Sequence, residues 1–172
     1  MTTIQSSPDT VVATHADAGP SRIAGLAAWL LTSDHKRVGR LFVGGSVLGL
    51  LAAIVTSVAL GVERIDGDDV LLDAGALPQL FQAQRIGFIF GAMIPLGLGL
   101  AVAVVPLQLG ARALAFPRLA LAGFYTWFGG LVMVTVSLAA DGGIGGSDDQ
   151  MVSLFLVGHI VMALGLLAAA VA

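Results

Sequence analysis

The chain has 172 residues, 57% hydrophobic and 11% charged, with no cysteine and a formal net charge of -3; its mean hydropathy is +0.95. A soluble domain carries about a quarter charged residues, so this composition belongs in a membrane. The lack of cysteine excludes a disulfide framework, a thiol redox centre, a Cys-ligated iron-sulfur cluster and a thiolate zinc site, and eight Lys and Arg in a net acidic chain give no basis for binding nucleic acid.

Residues 1 to about 20 are rich in Ser, Thr, Asp and Ala, with Pro8 and Pro20, and are too polar to pack a core. A secretory signal is not expected, because no basic residue opens the chain and the apolar stretch 23–31 leads into Thr-Ser-Asp-His-Lys instead of a small-residue cleavage site. Residues 1–28 are therefore expected to form a polar cytoplasmic tail ending in a short interfacial helix, with Trp29 at headgroup level, and residues 29–172 a membrane domain.

Four runs follow, at 41–62, 86–111, 119–140 and 150–172, and apart from His159 none contains an ionisable side chain charged near neutral pH. At about 1.5 Å per residue each reaches roughly 33 to 39 Å, enough to cross a hydrocarbon core of about 30 Å. The runs are apolar on all sides, unlike the alternating strands of an outer-membrane barrel, so the expected fold is an all-α transmembrane bundle of four spanning helices. Pro95 and many of the glycines fall inside the runs; Gly87 and Gly91 make one small-xxx-small pair, a weak signal in a chain with 23 glycines.

Basic residues set the expected orientation. Arg22, Lys36, Arg37 and Arg40 precede the first run and Arg112 and Arg118 lie between the second and third, so both termini are expected inside. The acids collect opposite, with Glu63, Asp66, Asp68, Asp69 and Asp73 in one loop and Asp141, Asp148 and Asp149 in the other. Their spacing matches no calcium loop, and solvated loops are the simpler reading. The fourth run stops without a basic or aromatic anchor, which raises the expectation of a split or truncated frame.

Three segments together carry a resemblance. Trp29-Leu-Leu-Thr-Ser-Asp-His-Lys36, with Gly39 and Leu41, resembles the start of helix one in subunit I of the heme-copper oxidases, the family of the cytochrome c oxidase catalytic subunit. Val105-Pro-Leu-Gln-Leu-Gly-Ala-Arg112, followed by Ala115-Phe-Pro-Arg-Leu119, resembles that family's loop between helices two and three and is highly specific. Gln79-Leu80-Phe81, Met93 to Leu96, Phe128-Gly129-Gly130 and His159 fall at matching spacings. The resemblance implies the first third of a twelve-helix subunit; the copper ligands and the ligand of the oxygen-reducing heme belong to helices beyond it.

Carried over one position at a time, the family's functional residues are replaced here. The histidine that ligates the low-spin heme falls on Gln84, whose carboxamide is a poor iron ligand beside an imidazole, and Arg85 follows it. The arginine that contacts a heme substituent falls on Gly61. The aspartate opening a proton channel in pumping members falls on Ala113, and two channel asparagines on Val102 and Ala120. No catalytic, cofactor-binding or metal-ligating residue and no heme or copper is expected in this chain.

His159 is the only histidine inside a run, and an ionisable residue there is a functional candidate by default. Met93, Met133, Met151 or Met162 could supply a second heme ligand beside it, but methionine at helical spacing is more often packing, and His159 is expected as a neutral imidazole hydrogen-bonded to a neighbouring helix. Arg85, at the start of the second run, would cost about 2.5 to 3.5 kcal/mol at mid-bilayer and is expected to snorkel towards headgroups or meet the acids of the first loop. If it points inward, it and Gln84 define a polar pocket where the family holds heme. Gln108, Arg112 and Arg118 of the retained loop are candidate contacts for partner subunits or anionic lipid, against a plain topology signal. Tyr125 and Trp127 are expected to pack.

The resulting expectation is a subunit I-like, non-catalytic module working with respiratory oxidase subunits and membrane lipid. Two alternatives remain: a fragment of a split or truncated oxidase subunit, and a small transporter in which Gln84, Arg85 and His159 line a polar path.

Overall fold

The computed structural model describes Gly25 and residues 34–65, 76–111 and 114–172. The tail, Arg22 and Trp29, the acids at 66–73, and Arg112 and Ala113 lie outside the described residues. The chain divides into two compact units, Met1–Leu30 and Leu31–Ala172, and the second holds all that follows.

Among the described residues of this unit, four helices are long and apolar enough to span a membrane: α1 His35–Ile65, α2 Ala76–Gln108, α3 Pro117–Ala139 and α4 Asp149–Val171. The apolar runs locate all four. The one substantial shift is in α2, which begins ten residues before the run at 86, so Arg85 sits in its third turn and not at the start of a helix.

Local signals place the ends. Asp34 caps α1, its carboxylate accepting from the Lys36 amide at 3.0 Å. At the other end of α2, Ala111 N–H bonds the Pro106 carbonyl at 2.9 Å and Gly110 N–H bonds that of Leu107 at 3.3 Å, with Gly110 at φ +67°. This is a Schellman stop, and Pro117 in the first turn of α3 is the matching start signal. Much of the family-like loop block is thus accounted for by chain geometry.

α1 and α2 pack antiparallel on small residues. A Cβ placed on Gly39 would stand 2.8 Å from the Gly99 carbonyl oxygen, and one on Gly49 would strike the Gly91 backbone, its Cα at 2.9 Å. The α3/α4 seam is tighter and more regular. Added Cβ atoms at Gly123, Gly130 and Gly165 would all meet backbone of the facing helix, at 2.7 Å or closer, and one at Gly158 would come within 2.9 Å of Val134. Without a hydrophobic drive between helices in lipid, such close approach is the main source of helix attraction.

An aromatic cluster lies where the two pairs meet. Trp127 and Phe42 are fully buried, their ring centroids 5.6 Å apart, and Phe124 lies edge-on to Phe42 at 5.2 Å. Trp127 of α3 fills the space left by Gly45 of α1, where a Cβ would come within 2.8 Å of the indole.

Candidate functional site

The middle of α2 is irregular, and its irregularity has a local cause. Residues Gly87–Met93 form a π-helical stretch, in which the Ile94 amide reaches back five residues to the Ile89 carbonyl. The Phe90 carbonyl loses its usual donor at Ile94, and the donor that the wider repeat would offer falls on Pro95, which has no N–H. Trp127 supplies the missing hydrogen, its Nε1–H donating to Phe90 O at 2.9 Å. A partly buried carbonyl is satisfied from another helix.

Gln84, just before this stretch, is half-buried and turns towards α1. Its Nε2 donates to Ser57 Oγ at 3.0 Å, and Ser57 in turn donates to the Ala53 carbonyl at 2.7 Å. A cavity of about 250 Å³ lies beside this pair, lined by Leu50, Ala53, Ile54, Ser57, Gln84 and Phe88. Gly61, one turn further along α1, is exposed, and an added Cβ would meet nothing within 4 Å.

Arg85, the next residue, projects about 100° further round α2. It is exposed on the outward face of α2, between the exposed Phe81, Phe88 and Ile89. His159 is half-buried on α4 against two rings, with centroids 4.3 Å from Phe155 and 6.5 Å from Phe90. Its Nδ1 bonds the Phe155 carbonyl at 2.9 Å. The hydrogen-bond partner is therefore its own helix one turn back, not a neighbouring helix. Because a carbonyl only accepts, Nδ1 carries the proton in the neutral ring and Nε2 keeps the lone pair. The three polar residues expected to share one site meet different neighbours, and neither Arg85 nor His159 lines the cavity beside Gln84. Met162 is buried in the α3/α4 seam and Met93 is exposed on α2.

A larger cavity of about 950 Å³ opens between α1, α2 and α3. Its lining is mostly aliphatic, with Thr56, Thr135, Gln79 and Asp141 as the polar members. The loop between α3 and α4 lies at one end of it and is tied to α2 by two glutamines one turn apart. Gln79 Nε2 donates to Asp141 Oδ1 at 2.9 Å. Gln82 pairs twice with Ile144, donating to its carbonyl at 3.1 Å and accepting from its amide at 2.8 Å. Asp141 sits at φ +55° in a Schellman stop, with Gly142 N–H on the Ser137 carbonyl at 2.8 Å. The Ser147 hydroxyl and amide donate to Oδ2 at 2.6 and 2.9 Å. These bonds, the Ser147 hydroxyl first, hold the Asp141 carboxyl below its ordinary value of 3.8. Sequence reasoning missed this clasp; glutamines three apart facing a Gly-rich loop are its only linear trace.

Gln108 and Arg118 are exposed at the basic end. Val102 and Ala120 are buried in apolar surroundings, and Trp127, expected only to pack, also donates the hydrogen bond to Phe90.

Comparison with known proteins gives these positions a context. Over 121 residues the chain is 31% identical to quinol oxidase subunit 1 of Bacillus subtilis strain 168, covering 70% of this chain and 18% of that protein. The chain is homologous to part of a heme-copper oxidase subunit I. It is also 32% identical over 113 residues to cytochrome bo(3) ubiquinol oxidase subunit 1 of Buchnera aphidicola subsp. Schizaphis graminum, covering 64% of this chain and 17% of the relative. A probable quinol oxidase subunit 1 of Staphylococcus epidermidis strain ATCC 12228 is 28% identical over 114 residues, with shares of 66% and 17%. No family model matches the chain. It spans less than a fifth of the length of these relatives, whose names are those of quinol oxidase subunits and not of a cytochrome c oxidase.

Proposed function

We propose that the chain is a non-catalytic, heme-free, subunit I-like module of a terminal oxidase in aerobic respiration. It sits in a bacterial plasma membrane with its basic end cytoplasmic, beside oxidase subunits and lipid, and the relatives favour a quinol oxidase as its setting. The observation that carries this reading is Gln84. The resemblance puts it where the family offers an imidazole to iron, and its amide is committed to Ser57 across the α1/α2 contact. Gly61 offers no guanidinium to a heme substituent, and Val102 and Ala120 offer no polar lining for a proton path. These residues do not fit a heme at that place, and no chemical step is assigned to one.

The coverage of the relatives favours a second reading, in which the chain is one segment of a split or longer subunit I whose other helices come from elsewhere. Isolation of the full chain from aerobic membranes in mild detergent tests the proposal. Oxidase subunits in stoichiometric amounts are expected with it. Migration as an isolated species, with ion flux from vesicles containing this chain alone, would instead support a transporter.

A further inference from the structure

Two independent rulers fix the depth of Arg85. Its neighbour Gln84 bonds Ser57, which lies six residues, about 9 Å, below Glu63 at the acidic end of α1. On α2, Arg85 itself lies six residues, about 9 Å, below Gln79, which is paired with Asp141 of the acidic-end loop. The Arg85 side chain therefore leaves the α2 backbone about 9 Å below the acidic end, on an exposed face.

An arginine at such a depth usually snorkels to the interface. Here that route runs over Phe81, one turn closer to the acidic end, and the guanidinium of Arg64 already lies over the Phe81 ring, 6.0 Å from its centroid. A second cation would be driven into the first. Among the described residues the acids, Asp34, Glu63, Asp141, Asp148 and Asp149, all lie at helix ends, and none stands at the depth of Arg85. A second copy of this chain packed in parallel would bring another arginine to that level and no carboxylate.

We infer that the outward face of α2 around Arg85 docks a transmembrane helix of a different chain, which places an Asp or Glu carboxylate against Arg85. A desolvated cation in lipid is satisfied best by an anion held at the same depth, and guanidinium and carboxylate bond in a fork. The same helix has a second foothold. The cavity of about 250 Å³ on the α1/α2 contact is lined by the exposed Leu50, Ile54 and Phe88, and it takes a bulky apolar side chain beside the acid. The inference rests on the reading of this chain as a subunit of a larger complex and adds the face and the chemistry of the contact.

The test uses the full chain in its native membranes, with Phe88→benzoylphenylalanine as a photo-crosslinker one turn from Arg85. The expected adduct is a membrane-spanning helix bearing Asp or Glu within a turn of the crosslinked residue. Its yield should fall at least tenfold with Arg85→Met and stay within twofold with Arg85→Lys. Arg85→Glu combined with Arg at the partner's acidic position should restore it. Yields independent of Arg85, adducts on lipid alone, adducts on the chain's own 66–75 loop, or a captured helix without a carboxylate would each overturn the inference. Copurification of oxidase subunits alongside any of those outcomes would leave the proposed function standing while this contact fails.

Discussion

The two helix pairs solve the same packing problem differently. α3 and α4 meet through Gly123, Gly130, Gly158 and Gly165, each seven residues from its partner on the same helix, and the chain between them is fastened by polar bonds. Ser137 Oγ donates to the Met151 carbonyl at 2.6 Å, and Asp148 caps α4 through the Gln150 and Met151 amides. α1 and α2 also use glycines, but carry a π-helical stretch, an interhelical Gln84–Ser57 bond, two cavities on their faces and an outward arginine. The positions that the resemblance assigns to heme chemistry lie on this second pair. There Gln84 bonds Ser57 and Gly61 is exposed, while the α3/α4 seam is built on close glycine packing with Ser137 bonded across it to Met151.

The largest expected effect is therefore on the seam. Gly165→Leu drives a side chain into the Trp127 and Gly123 backbone, which cannot give way. Overpacking of this kind costs about 3 kcal/mol or more and should abolish cooperative thermal unfolding in detergent, whereas Gly129→Ala, with nothing within 4 Å, should leave it unchanged.

A smaller loss is expected where the pairs meet. Trp127→Phe keeps a ring against Gly45 but leaves the Phe90 carbonyl without a donor, at about 1 to 3 kcal/mol in unfolding measurements. Stability equal to that of the unsubstituted chain would contradict the role given to the indole N–H.

Within α1/α2, a double-mutant cycle of Ser57→Ala and Gln84→Leu should give a coupling of about 0.6 kcal/mol and no more than about 1.7, as for other intramembrane hydrogen bonds. Additive losses would mean that the two side chains do not meet.

The mildest effect concerns the clasp at the acidic end. Because Asp141 is held below 3.8 in the folded chain, its contribution to loop order is complete above that value and is lost as pH falls through the lower folded value. The protection of the Ser147 amide relative to its intrinsic exchange rate should fall below about pH 4, with no such step in Asp141→Ala; an unchanged protection profile would remove the clasp.

Legibility in the sequence divides along similar lines. The spans follow from hydropathy, which depends on long stretches without charge, and the helix stop at Gly110 and start at Pro117 are local signals. The first ten residues of α2 were hidden because Gln79, Gln82, Gln84 and Arg85 lower its hydropathy, and the three glutamines find their partners far away in sequence: Asp141, Ile144 and Ser57. The π-helical stretch left no trace except Pro95, whose effect depends on a tryptophan in another helix. Gly87 and Gly91, the conspicuous glycine pair, do face α1. The closer seam uses a spacing of seven, which only the structure makes visible.

Heme content of the purified chain tests the central claim most directly. A reduced-minus-oxidised spectrum should lack a heme band at stoichiometric level, and Gln84→Ala should leave that spectrum unchanged. A stoichiometric low-spin band that disappears in Gln84→Ala would contradict the account, because it would show that this carboxamide position still holds the cofactor.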